Sequence, residues 1–265
     1  MLSLLFGGFL RRLKASTVKN IELLDDPGTV SVHADIIRKK TYLKNIYREY
    51  YISFKERLGC IAGHERIVEL GSGGGFIKDI IPSCICSDIV PSNFCDISFS
   101  ALCMPFKDNT IDAFCMINVL HHLPDVERFF KEVARCLRDN GHLLMIEPAN
   151  TPWNRFVHRN FHHERFDPQG DWKFESVGPL SSANGAIPWI VFFRDRVIFE
   201  QRFPSLKVKA IDFHTPLRYL ISGGFSFPQL LPRFTYCGVK ALEKALSIFN
   251  NKLAMFLTIH IRKEE

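Results

Sequence analysis

The chain has no run of 18 consecutive apolar residues, so a membrane-spanning helix is not expected of it. None of its eight cysteines (Cys60, Cys84, Cys86, Cys95, Cys103, Cys115, Cys136 and Cys237) belongs to a C-x-x-C pair, and most lie in apolar runs. They read as buried thiols in a reducing compartment, not as a disulfide framework. A secretory signal would set its charges ahead of its apolar run. Here Met1 to Leu10 is apolar and Arg11, Arg12 and Lys14 follow, which argues against export and for a cytoplasmic location. Two readings of that N-terminal piece stay open: a helix docked on the core, or an interfacial helix giving peripheral membrane contact. Also missing are the Gly-Lys-Ser/Thr ending that a phosphate-binding loop requires and the H-E-x-x-H order of a helical zinc site.

What remains can bury one large core, since 46% of the 265 residues are hydrophobic and 23% charged, too few charges for disorder. The net charge of +6 is unevenly spread. Residues 1–60 carry 11 Lys and Arg against 6 Asp and Glu, residues 61–148 carry 7 against 12, and residues 149–265 carry 16 against 10. Basic flanks around an acidic centre point to an anionic partner such as a phosphate, a lipid headgroup or nucleic acid, or to an ordinary solvated surface.

From Ser31 to about Leu58, apolar residues recur at helical spacing, predicting one helix or two broken near Thr41. Arg66 to Leu70 is a short strand that runs into glycines, Phe76 to Ile81 reads as a helix stopped by Pro82, and Cys84 to Ile89 reads as a second strand carrying Asp88. Ile111 to Ile117 is nearly all apolar, as a central parallel strand should be. A helix is expected from Pro124, with Phe129, Phe130 and Val133 inward, Glu127–Lys131 and Arg128–Glu132 paired outward, and Asn140-Gly141 as its cap. His142 to Glu147 is the next strand. Further on, Arg194 to Phe203 and Thr235 to Asn250 read as helices, and Leu206 to Phe213 and Leu253 to Ile261 as strands. Such alternation implies a parallel sheet with right-handed crossovers, which binds ligands beyond the strand C-termini where strand order reverses.

Glycines at 71, 73 and 75 let the backbone turn and approach a ligand closely. Phe76 stands where a dinucleotide fingerprint needs Gly or Ala, so the loop suits a ligand without pyrophosphate. An acidic residue followed by G-x-G-x-G in Val68 to Gly75, then Met104-Pro105-Phe106 with Asp112, then Asn118-Val119-Leu120-His121-His122 through Pro124 and Phe130, resembles the class I S-adenosylmethionine-dependent methyltransferases. The order through Arg135 to Gly141 looks like the branch that includes the quinone-biosynthesis enzymes. The resemblance covers roughly residues 65–148. It implies a Rossmann-like, doubly wound, mainly parallel seven-stranded sheet, with residues 1–60 as a helical extension to a methyltransferase domain at 61–265.

The same resemblance implies S-adenosyl-L-methionine as cofactor. It puts Gly71, Gly73 and Gly75 against the methionine part, Glu69 near the amino group and Asp88 on the ribose hydroxyls, with Ser72 and Asn118 completing the set. Where the family has Asp-Ala for adenine, this chain has Ser100-Ala101; Asp96, or the backbone of Ala101 and Leu102, is the alternative.

An activated cofactor needs chiefly alignment, plus a proton acceptor when the target is a hydroxyl or ring carbon. Candidate bases are His121, at the rim after the fourth strand, and His162 and His163 in the histidine-rich stretch from His158 to Asp167. That stretch falls in a long insertion, about 149–205, read as a lid after the fifth strand. His158 and His162 share a helix face, yet methyl transfer needs no metal and none is expected. Ser181 to Trp189 shapes a pocket or is a packed loop; Arg194 and Arg196 bind an anionic group or pair with Asp195 and Glu200. The expected acceptor is a small or lipid-like molecule, methylated on oxygen or carbon. A nucleic-acid methyltransferase would carry Asn or Asp, Pro, Pro and an aromatic where Asn118 to His121 stand, and a silent scaffold would have no reason to keep the glycine loop and Asp88.

Overall fold

The computed structural model describes residues 28–59, 66–162, 164–176, 178 and 181–265. The N-terminal apolar piece, Cys60 and His163 lie outside the described residues. Two helices come first, α1 (Gly28–Lys39) and α2 (Thr41–Leu58), broken by Lys40, whose backbone is extended (φ −92°, ψ 106°). Strands β1 (Ile67–Leu70), β2 (Ile85–Asp88), β3 (Ile97–Ser98), β4 (Ile111–Ile117), β5 (Leu137–Pro148), β6 (Leu206–His214) and β7 (Phe256–Lys263) make one sheet ordered β3-β2-β1-β4-β5-β7-β6. β1 to β5 are parallel, and β7 runs antiparallel to both β5 and β6.

Side chains alternate across a strand, and β4 shows that both faces of the sheet are covered. Phe114 and Met116 join Phe129, Phe130, Phe192 and Phe199 in one core, while Ala113, Cys115 and Ile117 join Tyr42, Ile46 and Phe54 in the other. All seven residues of β4 are buried, which is why its sequence is apolar but for Asp112, whose Oδ2 accepts from the Arg66 N–H (2.6 Å). The chain moves outward from β1 to β2 and β3, then returns to lay β4 on the opposite side of β1. Strand order therefore reverses at the end of β1, where the glycine loop begins.

Helix α3 (Val126–Cys136) buries Val126, Phe129, Phe130 and Val133 as its period predicts. Its N-cap is Asp125, which accepts from the Arg128 N–H at 2.9 Å, so Pro124 precedes the helix and is not its first residue. Glu127 and Lys131 pair at 2.7 Å, but Glu132 turns to Arg135 (2.8 Å) and to the Met104 N–H (2.7 Å) instead of Arg128. Asn140 is left-handed (φ 65°), yet not as the helix cap: it lies within β5, where the register against β4 shifts between Ile111 and Ala113. After the glycine loop the expected helix shrinks to a 3₁₀ turn, Phe76–Asp79, too short to supply much dipole.

Between β5 and β6 lie α4 (Pro152–Phe161), capped by Thr151, and α5 (Arg196–Arg202), which follows a π-helical stretch at Ile190–Arg194. Ile190, Phe192, Phe199 and Phe203 are buried against Phe130 of α3. Within the stretch expected as a lid, residues 186–203 thus carry a large part of the main core, while Val157, His158, Phe161, His162 and Glu164 supply wall of the cavity described below. Between β6 and β7 come α6 (Arg218–Ser222) and α7 (Tyr236–Ala245). The single helix expected over Thr235 to Asn250 ends at Ala245 and continues as short turns. Of the described cysteines, Cys84, Cys86, Cys115 and Cys136 are buried thiols, while Cys103 and Cys237 are exposed.

Candidate active site

The loop after β1 holds Gly71, Gly73 and Gly75 all at positive φ (67°, 50° and 68°), a conformation that disfavours any side chain. Their surroundings differ. A Cβ at Gly71 would sit 2.5 Å from Val119 and one at Gly75 would sit 2.9 Å from the Phe94 carbonyl, so those two are closed in by protein. A Cβ at Gly73 would meet nothing within 4 Å, because Gly73 borders an open cavity. The loop is tied to the next strand: the Ser72 N–H donates to the Ser87 carbonyl (2.9 Å) and the Gly73 N–H to Asp88 Oδ2 (3.0 Å). Asp88 also accepts from the Val90 N–H (3.1 Å), and its burial pushes the carboxyl upward against the pull of these amides.

Glu69 is 1% exposed, and its Oε2 is buried with no hydrogen-bond partner. Burial raises its carboxyl to about 8, partly offset by Tyr51 and Ser72. A buried carboxyl oxygen without a partner is a place for a donor, and the neighbouring Leu70 and Gly71, though not Glu69 itself, line an open cavity.

The cavity has a volume of about 1310 Å³ and joins this loop to the chain after β4. Asp88, Ala101, Leu102 and Asn118 line it on one side, and His121, His122, His158, His162 and Glu164 on the other. Asn118 takes a left-handed backbone (φ 56°), which turns the chain sharply off the end of β4.

A family profile described as "Methyltransferase domain" matches residues 68–145, the span that contains the loop, Asp88, Asn118 and the histidine pair. Residues 68–145 are thus similar to a methyltransferase domain. Over 81 residues it is 30% identical to a demethylmenaquinone methyltransferase of Symbiobacterium thermophilum, a match that spans 30% of this chain and 32% of that enzyme. The match thus takes in about a third of the curated relative's length. An S-adenosylmethionine-dependent methyltransferase of Thermotoga maritima superposes with a TM-score of 0.53 at 15% identity, covering 88% of this chain and 99% of that one. A geranyl diphosphate C-methyltransferase of Streptomyces coelicolor superposes with a TM-score of 0.51 at 13% identity, over 86% and 81% of the two chains. At these identities the likeness is one of fold.

The open space at Gly73 leaves room for the backbone of an amino-acid moiety, and the unpartnered Glu69 oxygen lies one residue behind the lining Leu70. Asp96 does not fit the adenine role considered for it. Its Oδ2 accepts from the Cys86 N–H (2.8 Å) and its Oδ1 pairs with Lys78 (2.6 Å), away from the cavity wall. Ala101 and Leu102 do line the cavity, but the Leu102 N–H already donates to Ser100 Oγ (3.2 Å).

His121 is 2% exposed, and its Nδ1 donates to Glu147 Oε2 at 2.6 Å. The other oxygen of Glu147 accepts from the Val119 and Leu120 N–H groups (2.9 and 2.8 Å), which fixes the carboxyl in place. His121 Nε2 faces Glu164 Oε2 at 3.5 Å, and His122 Nε2 faces Glu164 Oε1 at 3.7 Å. Burial alone would lower the His121 imidazolium, but the flanking Glu147 and Glu164 outweigh it and lift the group to about 10. That direction favours the protonated form of His121 while the carboxylates stand beside it. Burial and the charge on His121 push His122 down to about 4, and the histidines hold the Glu164 carboxyl far below its usual range despite burial. His162, just past α4, accepts the Glu164 N–H on Nδ1 at 3.3 Å and stacks on His158 with ring centroids 4.5 Å apart.

Glu164 is the residue that sequence reasoning missed as a distinct participant. No local motif marks it, because its partners lie about 40 residues away and only tertiary packing joins them. Ser181 to Trp189 is a packed loop: the Ser182 carbonyl accepts from His122 Nδ1 (3.1 Å) and the Asn184 N–H donates to the His121 carbonyl (2.9 Å). Arg194 and Arg196 pair with Asp195 (2.7 Å) and Glu200 (2.6 Å) and take no part in the cavity lining. Asp167 turns outward to Arg165. The far side of the cavity, unforeseen, comes from His33 and Ala34 of α1, Tyr47 and Tyr51 of α2, and a strap of residues 219–230.

Proposed function

We propose that the protein transfers the methyl group of S-adenosylmethionine to an oxygen or carbon of an apolar, lipid-like small molecule. The observation that carries this is one continuous cavity of about 1310 Å³ running from Gly73 and Asp88 to the histidine–glutamate group. That exceeds the roughly 300–1,000 Å³ usual for a single small ligand and leaves space for an acceptor beside the cofactor. Tyr47, Phe161, Tyr219, Phe225 and Met255 make the acceptor end apolar. The segment continuing outward from Leu230 exposes Leu231, Phe234, Ile248 and Phe249 among Arg233, Lys244 and Lys252, a surface suited to an amphiphile with an anionic head.

S-adenosylmethionine, when bound, supplies a methyl group already activated by its sulfonium. The chain's task is then binding and alignment. Gly73 gives the close approach, Glu69 takes the ammonium, Asp88 takes the ribose hydroxyls through whatever acceptor capacity its amide contacts leave, and Asn118 and Val119 form the floor. Glu164, ionised and on the cavity wall, accepts a hydrogen bond from an acceptor hydroxyl and orients it, while His121 and Glu147 hold Glu164 in place. His162 lies beside Glu164; His163 is retained as a candidate by sequence alone.

The test is direct. S-adenosylhomocysteine should raise the unfolding midpoint and bind with one-to-one stoichiometry by calorimetry. Native mass spectrometry of the protein purified without detergent wash should reveal an apolar molecule whose mass rises by one methyl group on incubation with the cofactor. Absence of any S-adenosylhomocysteine effect overturns the reading.

A further inference from the structure

The geometry between β4 and α4 points beyond a hydrogen-bonded cluster. The separations of Glu164 from His121 Nε2 (3.5 Å) and from His122 Nε2 (3.7 Å) are too long for good hydrogen bonds. They are close to another distance. Two ligand atoms bonded to one tetrahedral zinc-like ion, each about 2.0–2.1 Å from it, lie about 3.3 Å apart. The three ligand atoms all fall within 4.8 Å of one another.

The outer partners have the pattern that metal-binding histidines use. His122 Nδ1 meets the Ser182 carbonyl, which can only accept, so Nδ1 carries the hydrogen and Nε2 presents its lone pair. His121 Nδ1 meets Glu147, itself locked by two backbone amides, so the ring is held with Nε2 toward Glu164. A ligating imidazole anchored through its other nitrogen by a carboxylate or carbonyl is oriented and made more basic.

We propose that His121, His122 and Glu164 form a binding site for one divalent transition-metal ion of the zinc class. This departs from the sequence expectation of no metal, and it uses His122 and Glu164 in place of the His158–His162 helix face. Two imidazoles and one carboxylate leave a fourth position, and because all three residues line the cavity, that position opens toward the proposed acceptor. The ion would take a water or an acceptor oxygen there. The site stands whether or not the methyl-transfer reading does.

Cobalt(II) is the probe, because its visible absorption reports tetrahedral nitrogen and oxygen ligation, and zinc can then compete it off. The full chain, stripped with chelator, should bind one equivalent of cobalt at micromolar concentration without added cofactor. His122→Ala and Glu164→Gln should each weaken binding by 100-fold or more, while His260→Ala, which breaks the separate His142–His260 pair (2.9 Å), should leave it unchanged. Circular dichroism melting confirms that each variant is folded, and the isosteric Glu164→Gln serves if His122→Ala does not fold. No stoichiometric uptake, or uptake insensitive to both substitutions, overturns the site. A lost S-adenosylhomocysteine response with intact cobalt binding would instead count against the proposed methyl transfer alone.

Discussion

Glu69 sits in a place that is costly without a ligand. Its carboxyl titrates near 8 in the folded protein against about 4.5 for a free glutamate, because burial disfavours the charge. Between those values the folded chain binds more protons at this group than the unfolded chain, so its contribution to stability falls as pH rises from about 4.5 to about 8. Glu69→Gln should therefore raise the melting temperature of the empty protein at pH 8 and above, with the gain shrinking toward pH 5. Cofactor affinity should move the opposite way. An ammonium pairs with the ionised form, so affinity for S-adenosylhomocysteine should rise up to tenfold per unit between about pH 6 and 8, then level, as calorimetry across pH would record; Glu69→Gln should flatten that profile. At Asp88, replacement by alanine removes both the proposed ribose acceptor and the tether on the Gly73 amide. A loss of about 1.5–3 kcal/mol in cofactor binding is expected, measured by the same titration.

At the scale of elements, the strap over the cavity hangs on one cation. Arg218 of α6, 8% exposed, pairs with Glu49 of α2 (2.6 Å) and with Glu243 of α7, and it donates to Tyr236 Oη at 2.8 Å. Removing one partner of such a buried network leaves uncompensated carboxylates and costs about 3–5 kcal/mol. Arg218→Met should lower stability on that scale in denaturant titrations, and hydrogen exchange should speed up first in residues 217–230 if the strap opens ahead of the sheet.

This strap also marks the limit of sequence reading. Elements whose own period or composition matches their environment were legible: the nearly all-apolar β4, the helical stripe of α3, the glycine loop and Asp88 at the end of β2. Residues 214–230 have no period, and their structure is set by Arg218 and by the fit of Lys40 against the Gly224 carbonyl (2.6 Å), contacts to residues far away in sequence. For the same reason Glu164 was only one charge in a histidine-rich stretch until folding set it against His121. The short turn after the glycine loop eluded a reading based on periodicity, which cannot tell a 3₁₀ turn from the start of a helix.

At the scale of the whole molecule, the two most exposed large apolar side chains among the described residues fall in one stretch of the chain. Phe234 is 82% exposed and Ile248 78%, with Leu242 and Phe249 beside them in sequence and Lys240, Lys244 and Lys252 interspersed. No helix among the described residues is long and apolar enough to cross a membrane, so any membrane contact made by this region would be peripheral. The protein should sediment with vesicles containing anionic lipid more than with neutral ones, and 0.5 M salt should weaken the association. Phe234→Ser with Ile248→Ser should release most of the bound fraction while leaving S-adenosylhomocysteine affinity unchanged; equal sedimentation with neutral vesicles would count against a charge-assisted surface.

Because β7 lies between β5 and β6, the sheet cannot be laid down in the order in which the chain is made. β1 to β5 find their neighbours among strands already synthesised, so the glycine loop and its binding floor can form on a nascent chain. β6 then emerges with no partner, and β7 follows only after about 40 more residues, a delay of a few seconds at about 5–20 residues per second. During that interval β6 is a free edge able to pair with a neighbouring chain on the same message. Lys207 and Lys209, both exposed on β6 beside the register shift between Val208 and Ala210, are the kind of charge that discourages such pairing.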